Sequence, residues 1–529
     1  MHNYIFDPET NGILLLDGEI NPVACKEPRP VYAEEMNLLG FDSLYKYPAE
    51  CAFPLMWAEQ RSYIYKGVKL AKLTGAEFVQ KPEIQDLGSI FANEMLAPCD
   101  VPAMLGKNRG YIDALADASI ERVRKYYAEY KDKANAVWVS FSGGKDSMVL
   151  LDIVQRALPH DAFKVFFTNT HMEFPDTYDY IDRIRVWCTD RKIDFVVCSS
   201  DMQPEQSWHL FGPPASTLRW CCSVHKTAPQ LVKAREIYGQ NIKAFSMVGV
   251  RASESLGRSK YDFMCKAKKH NGEDTLNVIL DWNSAEVWLY LYIRKLPVNP
   301  AYRKGNNRVG CILCPGGTKL KEYIAAKCYP DTYNRFYQYL KDTYDPRWIY
   351  SGDVNDPQLG KIWVARKNGD GLLIPCSYED DRKADEWIIK IKEFRTDWHE
   401  WIKTIGILQN DKSPYQVKFK TGVYSFDVTI TGNGAEIKVP EQHTKEGKLF
   451  VKMLKQVFRK AACCVMCRVC EADCPFGCLK MKDGKITISE NCHHCSRCHR
   501  PLLGCHVYHS TCKRRNGRFY YLNHWERKV

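Results

Sequence analysis

Apolar and polar residues alternate along this chain in two rhythms, and the change of rhythm marks its organisation. In residues 1–105 short apolar runs such as Ile13-Leu14-Leu15-Leu16 and Tyr63-Ile64-Tyr65 are separated by proline-containing and acidic stretches. They read as strands of a mixed, β-rich N-terminal module. Residues 112–130 carry a helical pattern that leads into Ala136-Val137-Trp138-Val139, after which strand-like and helix-like stretches take turns. Residues 164–169, 195–198, 245–250 and 276–280 read as strands, and 177–188 and 284–294 as helices. This alternation predicts an α/β fold over residues 106–330, a doubly wound, mostly parallel sheet with its ligand at the carboxyl ends of the strands. Residues 331–459 are mixed and aromatic, with a helix expected at 386–405 and hairpin strands at 415–439 around Thr431-Gly432-Asn433-Gly434. They read as a linker domain that positions a C-terminal module at 460–529.

Composition narrows the class. A chain of 529 residues, 45% of them hydrophobic, is globular and too long for one core. No apolar run is long enough to span a bilayer, and the opening Met1-His2-Asn3-Tyr4 is not that of a signal peptide. The expectation is a soluble cytoplasmic protein with no membrane partner. Of the 23 cysteines, eleven fall between Cys463 and Cys512, at spacings of metal ligands rather than of disulfides. Cys25, Cys51 and Cys99 fit no motif and read as buried thiols. The formal charge is +12, and residues 441–529 alone hold 18 Lys and Arg against 7 Asp and Glu. A basic end can serve nucleic acid or an acidic partner; the plainer reading is that it offsets thiolate-ligated clusters.

The chemistry begins at Ser140-Phe141-Ser142-Gly143-Gly144-Lys145-Asp146-Ser147, between a predicted strand and a predicted helix. Two glycines let backbone approach a ligand, and a helix start aims N–H groups and partial positive charge at an anion. The loop is not a Walker A sequence, which needs an earlier glycine and a four-residue spacer. Lys145 and Ser142 are suited to hold phosphate or sulfate oxygens. Asp146 is suited to cap the helix or fix the loop.

This hexapeptide resembles the PP-loop of the N-type ATP pyrophosphatases and of the phosphoadenosine phosphosulfate (PAPS) reductase family. Three further segments resemble that family in order: Asn169-Thr170-His171-Met172-Glu173-Phe174-Pro175, Gly249-Val250-Arg251 through Arg258, and Asp281-Trp282 through Gly310, which includes Leu296-Pro297-Val298-Asn299-Pro300-Ala301-Tyr302. Together they cover residues 135–320. The resemblance implies an adenine nucleotide α-hydrolase-like fold and a nucleotide site of Ser140, Ser142, Gly143, Gly144, Lys145, Asp146, Ser147, Thr170, Glu173 and Arg251. It implies catalytic roles for Lys145, Lys226 and Arg251, while Arg258, His171 and His225 receive no assignment.

Two cysteine sets remain. Cys221-Cys222 and Cys311-Ile312-Leu313-Cys314 supply four thiols, suited to a four-iron cluster or to zinc. The pattern resembles iron-sulfur sulfonucleotide reductases, in which such a pair and Cys-x-x-Cys hold one [4Fe-4S] cluster beside the nucleotide. At the C-terminal end, Cys464-x2-Cys467-x2-Cys470-x3-Cys474-Pro475 is the bacterial ferredoxin run, and Cys492-x2-Cys495-x2-Cys498 follows a hairpin pattern with an Asp483-Gly484 turn. The run predicts an α+β ferredoxin-like domain with two [4Fe-4S] clusters. Cys505 is the first candidate for the remaining ligand, with Cys512 and Cys478 as alternatives.

Together these features point to reduction of adenylyl sulfate or PAPS to sulfite, with electrons from a low-potential donor passed through the protein's own clusters. The chain has no Glu-Cys-Gly, the segment in which the resembled reductases form a sulfur adduct. The alternatives are ATP-dependent sulfur insertion into nucleic acid, with Mg accompanying ATP, and a nucleotide-binding redox sensor.

Overall fold

Strand Ala136–Phe141 is buried along most of its length, as suits the middle of a parallel sheet. In the computed structural model, which describes residues 1–75, 80–266, 272–345, 362–499 and 504–513, it is central to a six-stranded sheet. The strand order is Asp194–Ser199, Lys164–Asn169, Ala136–Phe141, Ala244–Val248, Glu273–Asn277 and Met264–Lys266. Every pairing is parallel except the last. The chain steps outward on one side of Ala136–Phe141 and then crosses to the other, so the switch of direction falls at this strand. A doubly wound sheet opens its ligand crevice there.

Two compact units are formed, Met1–Ser199 with Ala234–Arg335, and Ser200–Lys233 with Phe336–Val529. This division differs from the four consecutive segments read from the sequence. The N-terminal residues belong to the unit of the parallel sheet, and residues 200–233 belong with the later part of the chain.

In the first unit one face of the sheet is covered by helices Val101–Tyr130, Lys145–Ala157 and Ser284–Ile293, which share a core with Val139, Phe141, Val165, Phe245 and Leu276. Helix Val101–Tyr130 starts eleven residues before the predicted start. Asp100 accepts a hydrogen bond from the Ala103 N–H at 3.0 Å and proline occupies the first turn, a strong start signal. Gly106 and Gly110 obscured the helical pattern there. Buried Asn108 couples the helix to the N-terminal hairpin His2–Asp7 and Gly12–Glu19, accepting from the Leu15 N–H at 2.7 Å and donating to the Ile13 carbonyl at 2.8 Å. A five-stranded antiparallel sheet from Pro28–Val31 to Glu83–Asp86 has its own core around Met36, Phe41, Met56, Tyr63 and Leu70.

The second unit is built on a six-stranded antiparallel sheet ordered Tyr378–Lys383, Glu386–Ile391, Gly434–Pro440, Gly422–Thr431, Tyr415–Phe419 and Ile407–Asn410. The strands around Thr431–Gly434 form the expected hairpin. The helix expected at 386–405 does not exist as such. Glu386–Ile391 is a strand and only Trp398–Ile402 is helical, capped by Asp397. Trp387, Ile388, Ile389 and Ile391 are stiff or aromatic side chains that favour a pleated surface, and pairing on both sides decides the outcome. Helix Lys445–Cys463 buries Phe450, Leu454 and Phe458, with Phe458 packed near Trp398 and Phe426. Beyond it, Leu479–Lys482 and Lys485–Ile488 pair across Asp483-Gly484, both at positive φ. Among the described residues no helix is long and apolar enough to cross a membrane. Residues 500–503 and 514–529, which hold six of the eighteen Lys and Arg of residues 441–529, lie outside the described residues.

Candidate active site

The parallel strand Ala136–Phe141, which carries Ser140, runs through Ser142-Gly143-Gly144 directly into helix Lys145–Ala157. Gly143 turns at φ +76°, and a Cβ there would lie 3.1 Å from Thr177 Cγ2. Gly249, at the end of the neighbouring strand Ala244–Val248, passes so close that a Cβ would lie 2.8 Å from the Asp146 carbonyl oxygen. The loop is braced by hydrogen bonds. The Lys145 N–H donates to Tyr302 Oη at 2.9 Å, Ser147 Oγ donates to the Gly144 carbonyl at 2.8 Å, and Ser142 Oγ donates to Ser147 Oγ at 3.2 Å. Asn299 Nδ2 donates to the Gly143 carbonyl at 3.2 Å and to Thr177 Oγ1 at 3.0 Å.

Charges alternate across the loop. Lys145 Nζ pairs with Asp146 Oδ2 at 3.0 Å, and Asp146 Oδ1 accepts from Arg251 Nε at 2.7 Å. Arg251 then grips Glu27 with both Nη atoms, Nη1 to Oε1 at 2.9 Å, and Ser253 Oγ donates to the same carboxylate at 2.8 Å. Lys145 and Arg251 are only 3% and 1% exposed. Burial alone would raise the Asp146 carboxyl, but the Arg251 and Lys145 cations outweigh it and hold Asp146 well below the usual carboxylate range. For Glu27 burial again opposes ionisation, and Arg251 followed by Lys145 lowers its pKa. Two cations and two carboxylates thus balance. Arg251 faces carboxylates, and an anionic ligand reaching its Nη atoms has to displace Glu27.

Asp146 therefore fixes the loop through charge, and does so as a partner of both basic residues. Glu27, Asn299, Tyr302 and Glu254 were given no role by sequence reasoning. Asn299 and Tyr302 lie in a segment that carries the family resemblance, whereas Glu27 has no local signal at all. Glu254 binds Arg258 and also pairs with Arg308 Nη2 at 2.9 Å, which ties the more exposed arginines of this face together.

At the end of the adjacent strand Lys164–Asn169, buried Thr170 donates from Oγ1 to Glu173 Oε1 at 2.6 Å and from its N–H to Oε2 at 3.2 Å. The Cys311 Sγ lies 3.9 Å from Thr170 Oγ1, and the Ile312 N–H donates to the Met172 carbonyl at 2.6 Å. Cys311 and Cys314 thus belong to the nucleotide-loop unit. Cys221 and Cys222 lie in the second unit, on the helical turn Trp220–Cys222, where Trp220 stacks on Phe211 and donates from Nε1 to the Gly212 carbonyl at 3.1 Å. Lys226 follows in the same unit with its side chain exposed.

The cysteine-rich end gathers its thiols in two groups. Burial, then Cys505 and Cys470, raise Cys464 to about 12, and Cys467 is raised by burial, Cys470, Cys464 and Cys505. Cys505 therefore stands with Cys464, Cys467 and Cys470. A cavity is lined by Cys474, Cys478, Cys492, Cys495 and Cys498 together with Phe476. Lys460, 1% exposed, donates from Nζ to Cys470 Sγ at 2.9 Å. An ammonium buried beside thiols suits a site whose sulfurs are ionised, and the donor set fits soft thiolate ligation of iron-sulfur clusters.

Residues 136–317 match the phosphoadenosine phosphosulfate reductase domain family. An uncharacterized protein of Methanocaldococcus jannaschii is 28% identical over 280 residues, 52% of this chain and 65% of that one. A second uncharacterized protein of the same organism is 31% identical over 40% of this chain and 42% of its own length. The chain thus spans less than two thirds of either relative. An adenosine 5'-phosphosulfate reductase of Halalkalibacterium halodurans is 26% identical over 198 residues, 37% of this chain and 80% of that enzyme. Among solved structures, a PAPS reductase of Candida auris in a phosphate complex shows 18% identity over 38% of this chain and 93% of that one, at a TM-score of 0.29. A likeness that low bears on neither fold nor ligand.

Proposed function

We propose that this chain is a sulfonucleotide reductase-type oxidoreductase that reduces adenylyl sulfate or PAPS to sulfite with electrons passed through its own iron-sulfur clusters. The domain match and the relatives named adenosine 5'-phosphosulfate reductase support the substrate class. One observation carries the reading: the nucleotide loop and the Cys311-x-x-Cys314 segment meet the sheet at neighbouring strand ends, with the Cys311 sulfur 3.9 Å from the Thr170 hydroxyl.

In the proposed reaction the S–O bond to the nucleotide phosphate breaks, the bridging oxygen leaves with the nucleotide, and sulfur departs as sulfite carrying a new electron pair. Clusters, when bound, supply those two electrons one at a time from a low-potential donor. Their proposed ligands are Cys221, Cys222, Cys311 and Cys314 for one, Cys464, Cys467, Cys470 and Cys505 for the second, and Cys474, Cys492, Cys495 and Cys498 for the third. Lys145 and the loop N–H groups bind the anionic end. Asp146 aims Lys145 and Arg251 through its two ion pairs, and Arg251 joins the substrate oxyanion on releasing Glu27. Lys226 is proposed to assist at the same anion.

The test is anaerobic. Protein offered adenylyl sulfate, PAPS or ATP with a low-potential reductant is expected to bind a sulfonucleotide and release sulfite, and to contain about twelve irons for three four-iron clusters. Sulfur transfer that consumes ATP and needs no reductant would overturn the reading.

A further inference from the structure

Three cysteines outside the proposed cluster ligands, one of them Cys512, which the sequence offered only as an alternative to Cys505, meet in space. Cys376 lies just before strand Tyr378–Lys383, Cys463 ends helix Lys445–Cys463, and Cys512 caps helix His506–Thr511. All three are in the second unit, and their sulfurs lie within 4.8 Å of one another, Cys463 and Cys512 buried and Cys376 half-buried. Cys376 and Cys512 are joined as a disulfide across a sequence separation of 136. Cys463 is then a third sulfur within reach of both, one more than a disulfide uses.

The spacing selects among metal groups. A tetrahedral zinc ion about 2.3 Å from each thiolate sets its sulfurs about 3.8 Å apart, inside the observed limit. A four-iron cube takes each thiolate on a different iron and spreads them farther, so this trio suits a single ion. The carriers of the sulfurs are anchored independently of any ion. The Gly369 N–H donates to the Cys512 carbonyl at 3.3 Å, and a Cβ at Gly369 would lie 1.9 Å from the Thr511 carbonyl oxygen, so only glycine lets the chain close over this helix end. Arg366 donates from Nη1 to the Ser510 carbonyl. The Arg395 and Thr396 N–H groups both donate to the Ala461 carbonyl, at 2.9 and 3.1 Å, which holds the end of the helix that carries Cys463.

We propose that in the reduced protein Cys376, Cys463 and Cys512 bind one thiophilic divalent ion, zinc by its fit, which ties three distant segments of the second unit together. A dithiol reductant supplies the two electrons required. The Cys376–Cys512 bond breaks, two protons are taken up to give two thiols, and the dithiol becomes a disulfide. The incoming ion then displaces the thiol protons to solvent and is held by thiolates. Disulfide and ion are thus alternative fastenings, the disulfide joining the Cys376 and Cys512 segments and the ion joining all three.

The experiment uses the full chain purified without oxygen, treated with a dithiol and then supplied with zinc, or with cobalt(II) as a coloured substitute. The expected result is about one zinc per chain beyond the iron, and intense thiolate-to-cobalt charge-transfer absorption in the near ultraviolet. Cys376→Ser and Cys463→Ser should each lose the ion while iron content stays constant. Cys463→Ser retains both disulfide partners, so its loss of zinc with an unchanged circular dichroism spectrum is not a folding failure. A reduced wild-type protein that takes up no ion, or zinc that persists in both variants, overturns the proposal.

Discussion

The nucleotide loop and the cysteine-rich end are both candidate holders of a charged group, yet they are organised by different forces. Around Lys145 the protein completes its own electrostatics: Asp146 and Glu27 neutralise Lys145 and Arg251, and Tyr302 and Asn299 brace the backbone. The loop rests on a continuous apolar core, so its shape needs no ligand. Around Lys460 the interior consists instead of thiols brought together by short helices and a two-stranded hairpin. Burial pushes those thiols toward their neutral form, whereas a metal requires thiolates. The first site is preorganised before it is filled; under the proposed reading, the second gains its charge balance only when a metal binds.

That contrast predicts a large separation of effects. In a Cys467→Ser, Cys495→Ser double variant, donor-driven turnover should vanish and iron should fall by about eight atoms per chain, while nucleotide affinity stays within about twofold. Titration calorimetry beside iron analysis checks it, and nucleotide binding that disappears with the iron would break the comparison. A smaller effect is expected from Lys145→Ala, which removes a charge-assisted contact and should weaken nucleotide binding by about 1.5 to 3 kcal/mol with iron unchanged. Undiminished affinity in this variant would move the anion site elsewhere. The smallest effect sharpens the electrostatic half of the contrast. Glu27→Gln removes the carboxylate that occupies Arg251 and should tighten nucleotide binding about three- to tenfold, since one internal charge-assisted pair no longer competes. Weaker binding would mean that Glu27 aims Arg251 instead of blocking it.

What was legible in the sequence was local. The strand-loop-helix transition at Ser140–Ser147 reads directly, because two glycines and a helix start lie within eight residues. The Asp483-Gly484 hairpin turn reads directly for the same reason. Misreadings arose where local signals conflict with pairing. The Ile388 and Ile389 region reads as helix because one of its two partner strands, Gly434–Pro440, lies far along the chain, and Gly106 and Gly110 hide the first turns of helix Val101–Tyr130. Arg251 could be picked out at the end of a strand, but its partner Glu27 lies 224 residues away with nothing in its surroundings to mark it.

The sequence by itself determined the α/β alternation, the nucleotide loop and the two runs of cysteines, because helix and strand periods, glycine turns and ligand spacings are written in adjacent residues. Tertiary structure decided which charges are matched across the loop, which thiol joins which group, and that Cys376, Cys463 and Cys512 converge. Coulomb attraction and metal-ligand reach act through a few ångströms of space, and chain folding alone sets which distant residues come within that range.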